Sequence, residues 1–271
     1  MAKEISEPKE APLLKVPQTP QTQPLDHISY SSVLLFLANP AAWYSKYRLG
    51  IRDQLSNPAA VVGKAFHKYL ELRFKGSPLK PASEVAETEI LTTTDVDWGK
   101  TGSPEKAIDD LRKLIQGFHE YPPSIGEVVG VEQYCYKKVK GLKLPIKAYI
   151  DLIHRQPDGL HLVDWKTVRA FDDEPSPSHI IQACTYYWLT DNPIDFTIFQ
   201  VKASANKDGS PQTRALTISY ADHPEYLLAT KDLFKQVLRE MTKKKANYLF
   251  NPRDDFEGAA EFKRYVNQFI K

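Results

Sequence analysis

Cysteine is nearly missing from this chain, with only Cys135 and Cys184 in 271 residues. Two thiols cannot build a four-cysteine zinc or iron–sulfur site or a disulfide scaffold, and both sit in apolar runs expected to bury them reduced. Charge of one sign is also missing. Lys and Arg number 36 against 34 Asp and Glu, a net +2, so bulk charge does not coat nucleic acid, although a local basic groove remains compatible. No apolar run approaches the roughly 18 residues of a membrane span, and no hydrophobic signal core follows the first residues. That pattern points to the cytoplasm, or to a host's cytoplasm for a viral protein. Neither a fixed-period repeat nor a G-x-x-x-x-G-K-[ST] phosphate loop occurs, which argues against a solenoid and against an ATP-driven motor in these residues. What is present is ordinary globular material, 42% hydrophobic and 26% charged, of a length that suits one α/β domain with a tail.

Residues 1–26 mix Pro, Gln, Thr, Glu and Lys with few large apolar side chains, so burial there does not offset ordering entropy. They read as a flexible tail, with Leu13 and Leu14 offering a docking peptide for a partner protein. Residues 27–271 read as one domain: a helical part over 27–125, a core over 126–220 and C-terminal helices over 221–271. Ser29 or Ser31 can cap a first helix, which Asn39 and Pro40 break. A second helix carries Trp43 and Tyr47 beside Lys46 and Arg48, a mixture suited to stacking bases and meeting phosphates, or simply to a core. A helix from Pro58 to about Gly76 carries Val62, Phe66, Tyr69, Leu70 and Phe74, with His67 at the edge of the apolar stripe. Residues 77–104 are polar and read as a loop or insertion before a helix at PEKAIDDLRKLIQGFHEY.

The middle changes character. EVVGVEQYCYKKV, LPIKAYIDLIHR and LHLVDWKTV predict three consecutive strands joined at KGLK and QPDG. A helix at SHIIQACTYYWLT, strands at FTIFQVKA and RALTISY, a long helix from His223 to about Asn247 and a last helix at GAAEFKRYVNQFI follow. Period-two alternation sets Asp164 and Lys166 on one face of their strand with Trp165 on the other, and a hairpin through QPDG lets Asp151 approach Asp164. Two carboxylates about 4 Å apart repel by on the order of 4 kcal/mol at an effective dielectric of about 20, so a charged trio on an apolar hairpin needs a reason. A divalent cation removes that repulsion. Hard oxygen ligands suit Mg²⁺ or Mn²⁺, which can activate water and stabilise charge on phosphorus, a chemistry that favours phosphodiester hydrolysis.

The order GKAFHKYLE, VEQYCY, KAYIDLI, LVDWKT and QACTYYWL resembles the PD-(D/E)XK nuclease superfamily, specifically its RecB-type exonuclease branch, over roughly residues 29–200. The resemblance implies a restriction-endonuclease-like α/β core, a central mixed sheet flanked by helices with N-terminal helical elements. It implies that His67, Asp151, Asp164 and the backbone carbonyl of Trp165 ligate Mg²⁺ or Mn²⁺, that Lys166 is the catalytic lysine, and that Glu132 sits near the metal or its waters. Taken alone, His67 reads as a surface helix histidine, and Glu132 keeps the alternative of a solvated strand charge. Gln182 and Tyr186 resemble a Q-x-x-x-Y motif that braces the site and contacts DNA, against the alternative of a capping glutamine and a core tyrosine. Ile150 stands where the superfamily's name has proline. Relatives with an iron–sulfur cluster carry cysteines where this chain has Asn39-Pro40 and NYLFNPRDDFEG, so no cluster is expected.

These expectations converge on a metal-dependent exonuclease acting at single-stranded or duplex DNA ends in repair, recombination or phage-type replication. Structure-specific or restriction-type endonuclease activity, and a DNA-end-binding subunit with little turnover, are the competing readings. The tail would suit a recombinase, a single-strand-binding protein or a replication protein. The lysines at 243–245, with Tyr248 and Phe250, read as a DNA contact or as solvated charge at a helix C-terminus.

Overall fold

The computed structural model describes residues 23–51, 55–100, 102–206 and 208–242. Most of the N-terminal tail, the lysine run and the last expected helix lie outside the described residues. Helices α1 (Tyr30–Ala38) and α2 (Pro40–Arg48) meet at Asn39, which closes the first through its backbone N–H and caps the second through its side chain. Ser29 rather than Ser31 caps α1, in a reciprocal capping box with Ser32. Pro40 and Pro58 occupy first-turn positions, where a missing N–H leaves no bond unmade. Helices α3 (Pro58–Phe74), α4 (Leu79–Thr92) and α5 (Pro104–Glu120) follow.

Helix α4 corrects the expectation of a loop over 77–104. Its buried stripe is made of two small residues, Ala82 and Ala86, and one large one, Ile90, at helical spacing against α3 and α5. Small residues allow close approach while leaving the segment polar in composition.

The sheet has five strands in chain order, β1 (Glu127–Lys137), β2 (Ile146–Gln156), β3 (Gly159–Thr167), β4 (Asp195–Val201) and β5 (Thr213–Ser219). Pairing is antiparallel except between β3 and β4, which helix α6 (Pro177–Leu189) connects as a parallel crossover. One irregularity positions the site. β2 pairs β3 only from Leu152↔Val163 toward the turn, so the two strands fork at Asp151 and Asp164. Beyond the fork the segment at Ile28 bridges to Ile146 in place of β3. The last described helix is α7 (Pro224–Met241) with Thr242 at its C-cap, and the remainder of the helix expected to about Asn247 lies outside the described residues.

Helices α1, α6 and α7 cover one face over a core that includes Phe36, Trp43, Ile150, Phe196 and Phe234. Helices α3, α4 and α5 cover the other, over Phe66, Leu111, Trp165 and Phe199. Alternation along β3 explains the split, since Leu162 faces the first core while Val163 and Trp165 face the second. Cys184 is buried and free as expected, but Cys135 is only half-buried, on the strand β1 that forms the edge of the sheet among the described residues.

Candidate active site

The fork gathers side chains from both layers. From below, α3 brings His67 to Asp151, its Nδ1 3.4 Å from Oδ2, while Nε2 lies 2.8 Å from the carbonyl oxygen of Trp165. Gly63, one turn earlier, makes this approach possible: a Cβ there would stand 3.1 Å from Thr167 Oγ1 on β3. Asp151 Oδ2 also accepts the Trp165 N–H at 2.8 Å, so a carboxylate takes the ladder bond that β2's backbone gives up at the fork. Glu132, across β1 from Asp151, sits in the left-handed region at φ 50, an uncommon conformation for a side chain of this kind. Strain of this sort clusters where function needs a side chain re-aimed.

From above, α6 supplies Gln182 and Tyr186 on one face. Gln182 Nε2 donates to Asp164 Oδ1 at 2.5 Å and to the Tyr186 hydroxyl at 3.1 Å, and that hydroxyl donates to the Tyr149 carbonyl at 2.8 Å. Both are buried, so their motif acts as a brace that fixes Asp164 and β2. Lys166 Nζ lies 2.6 Å from the other oxygen of Asp164. The alternation expected for Asp164, Trp165 and Lys166 is present.

The electrostatics follow from burial. Desolvation first, then the charge of Asp164, pushes the Asp151 carboxyl well above the usual carboxylate range. Burial also raises Glu132, with Glu71 adding to it, and lowers His67. Burial opposes the Lys166 ammonium, but Asp164 at contact distance overrides it and the lysine stays more basic than usual. Asp151 and Glu132, both shifted up by burial, beside an imidazole shifted down by it, form a donor set short of positive charge.

That shortfall is a test of fit for a divalent cation, and the residues meet it. Ligand atoms of His67, Glu132 and Asp151 lie within 4.8 Å of one another, a span that one cation with bonds of roughly 2.1–2.5 Å bridges. Asp164 stands outside this group, its oxygens engaged by Gln182 and Lys166. Two clefts meet at His67 and Asp151. One of about 360 Å³ runs past Tyr30, Tyr149, Asp164 and Lys166, and one of about 550 Å³ past Lys64, Lys68, Glu71 and Glu132.

Trp43 is corrected. It is fully buried between Phe36 and Tyr47, so its ring belongs to the core and cannot stack a base. Lys46 is exposed and Tyr47 and Arg48 are half-buried, and none of the four lines either cleft. Two neighbours of the site escaped the sequence reading. Tyr30 faces Lys166 from α1, with no local signal to betray it. Glu71 lies four residues after His67, one turn along the same helix face, and that spacing was a usable signal.

A mixed sheet that forks over Asp, Glu and His, with a carboxylate-paired lysine beside them, is the core of a nuclease-type α/β protein. The sequence model of the PD-(D/E)XK nuclease superfamily matches residues 27–259, and the chain belongs to that superfamily. A "Putative exonuclease" from Eubacterium rectale has a similar structure, with TM-score 0.54 and 15% identity over 79% of this chain and 80% of that one. An alkaline exonuclease from Laribacter hongkongensis matches with TM-score 0.32 and 11% identity over 81% of this chain and 96% of that one. No curated protein gives a significant sequence match.

Proposed function

We propose that this protein is a divalent-metal-dependent DNA exonuclease of the RecB type. The observation that carries the reading is the fork between β2 and β3, where the His67–Glu132–Asp151 group stands beside the Asp164–Lys166 pair. His67, Asp151, Glu132 and the Trp165 carbonyl would hold Mg²⁺ or Mn²⁺, with Asp164 adjoining as a further ligand. When bound, such an ion lowers the pKa of water and offsets charge on a phosphoryl oxygen. Lys166, kept as an ammonium by Asp164, is a donor rather than a base. Its Nζ orients the attacking water and neutralises charge that develops on the non-bridging oxygens during in-line displacement. Gln182 and Tyr186 keep Asp164 and β2 from closing on each other once the substrate enters.

The name borne by the Eubacterium rectale structure accords with cleavage from ends rather than at internal sites. Repair, recombination or phage-type replication, in a cytoplasm, is the setting this activity suits. The test compares the wild type with Lys166→Ala on end-labelled single-stranded, linear duplex and circular DNA in Mg²⁺, Mn²⁺ or EDTA. Metal-dependent loss of linear but not circular DNA, abolished by the substitution, is expected. Cutting of supercoiled circles would replace the reading with an endonuclease, and binding without cutting in any metal would replace it with an end-binding subunit.

A further inference from the structure

The β1–β2 hairpin carries a feature that the chemistry of the fork leaves unused. Strand register sets Tyr134 opposite Tyr149 and Tyr136 opposite Lys147. The same face continues to Glu132 and Asp151, which lie between the paired rows Val131↔Leu152 and Gln133↔Ile150. Ile146, Ala148 and Ile150 point the other way, into the core under α1 and α6. One strip therefore runs from the acidic group, through a tyrosine pair, to a tyrosine–lysine pair and the lysine-bearing turn beyond.

The rings of this strip are left in water. Tyr134 is 47% exposed, Tyr136 52% and Tyr149 52%, whereas Tyr69 and Tyr186 elsewhere are fully buried. Tyr134 and Tyr149 meet with centroids 5.2 Å apart, and Lys147 Nζ lies 5.7 Å from the Tyr134 ring. A ring pair that served only to hold the hairpin together would gain most by being covered. Open aromatic faces interleaved with cations match the bases and phosphates of a single strand, whereas a duplex keeps its base faces inside its own stack. Lys138, Lys140 and Lys143 extend the positive charge along the turn. We propose that Tyr134, Tyr149 and Tyr136 form a stacking platform for single-stranded DNA that leads the strand along the hairpin to the fork. That the strand meets cleavage chemistry there rests on the nuclease reading above.

The experiment is fluorescence anisotropy of a labelled oligothymidylate in EDTA, which separates binding from cutting. Tyr134→Ala and Tyr149→Ala are each expected to weaken binding about tenfold. Tyr134→Phe and Tyr149→Phe, which keep the π faces, are expected to bind as the wild type does. Wild-type affinity in folded alanine variants would overturn the platform, as would a patch whose loss changes only self-association. Should an alanine variant fail to fold, photocrosslinking of wild type to an oligonucleotide bearing 5-iododeoxyuridine decides: adducts on these tyrosines support the platform, and adducts confined to other elements overturn it. In Mn²⁺, DNA cutting that persists without tyrosine-dependent binding sinks the platform alone, while tyrosine-dependent binding without any cutting sinks the nuclease reading alone.

Discussion

Asp151 is the residue on which stability and chemistry pull in opposite directions. Its carboxylate is buried, faces Asp164 and already accepts one backbone N–H, so charge at this position opposes folding until a cation arrives. Asparagine keeps the acceptor for the Trp165 N–H and removes the charge. Asp151→Asn is therefore expected to raise the melting temperature of the metal-free protein and to abolish the increment that Mn²⁺ adds to the wild type, both read by thermal unfolding. At a metal concentration of about 100 Kd that increment corresponds to roughly 2.7 kcal/mol, a few degrees or more for a chain of this size. Glu132 makes a matching test. Asparagine tolerates its left-handed backbone, so Glu132→Asn is expected to preserve the metal-free melting temperature while weakening Mn²⁺ binding in a calorimetric titration. At this scale the sequence was informative where chemistry is local: the alternation of Asp164, Trp165 and Lys166 needs only the strand period. It was uninformative for Trp43 and Tyr30, whose surroundings are set by partners far along the chain. An aromatic residue on a short helix reads the same whether Phe36 covers it or a base does.

Helix α3 and strand β3 must approach closely for His67 to reach both Asp151 and the Trp165 carbonyl, and Gly63 is where they touch. Gly63→Val would place its branched side chain against Thr167 and force the elements apart. Overpacking of this kind destabilises by about 1–3 kcal/mol. Urea unfolding should show that loss, and metal affinity should fall further than stability does, since a tilt of α3 is felt most at His67. The strands and most helices were legible because their periods and caps are local: Ser29, Asn57 and Ser103 each accept from the first turn they precede. The fork was not. Forked pairing depends on where β2 and β3 stop matching, and a hairpin sequence with regular alternation predicts continued pairing. Helix α4 was hidden for a different reason, since a stripe of alanines buries area only when the neighbouring helices come near enough to make it count.

Across the whole molecule, the forked end of the sheet is loosened for chemistry and the other end of the β2–β3 hairpin is tied. There His161 lies between Asp158 at 2.9 Å and Asp195 at 3.0 Å, and stacks on His154 with ring centroids 5.3 Å apart. The two rings carry different protonation. His154 Nδ1 accepts the Gly126 N–H, and burial, then the charge of His161, holds its pKa down. Burial also opposes a charge on His161, but the two aspartates outweigh it and raise its pKa. A histidine whose folded pKa is raised stabilises the fold fully below the unfolded value of about 6.5, and that contribution disappears as pH rises through the folded value. His154 works in the reverse sense, so stability there falls as pH drops below the same region. His161→Gln should consequently lower the melting temperature in EDTA most at about pH 6 and least above about pH 8, while leaving metal binding at the distant fork unchanged. A gap between variant and wild type that stays constant across that range would show that His161 is held by packing alone, and that the aspartates on either side do not carry the tie.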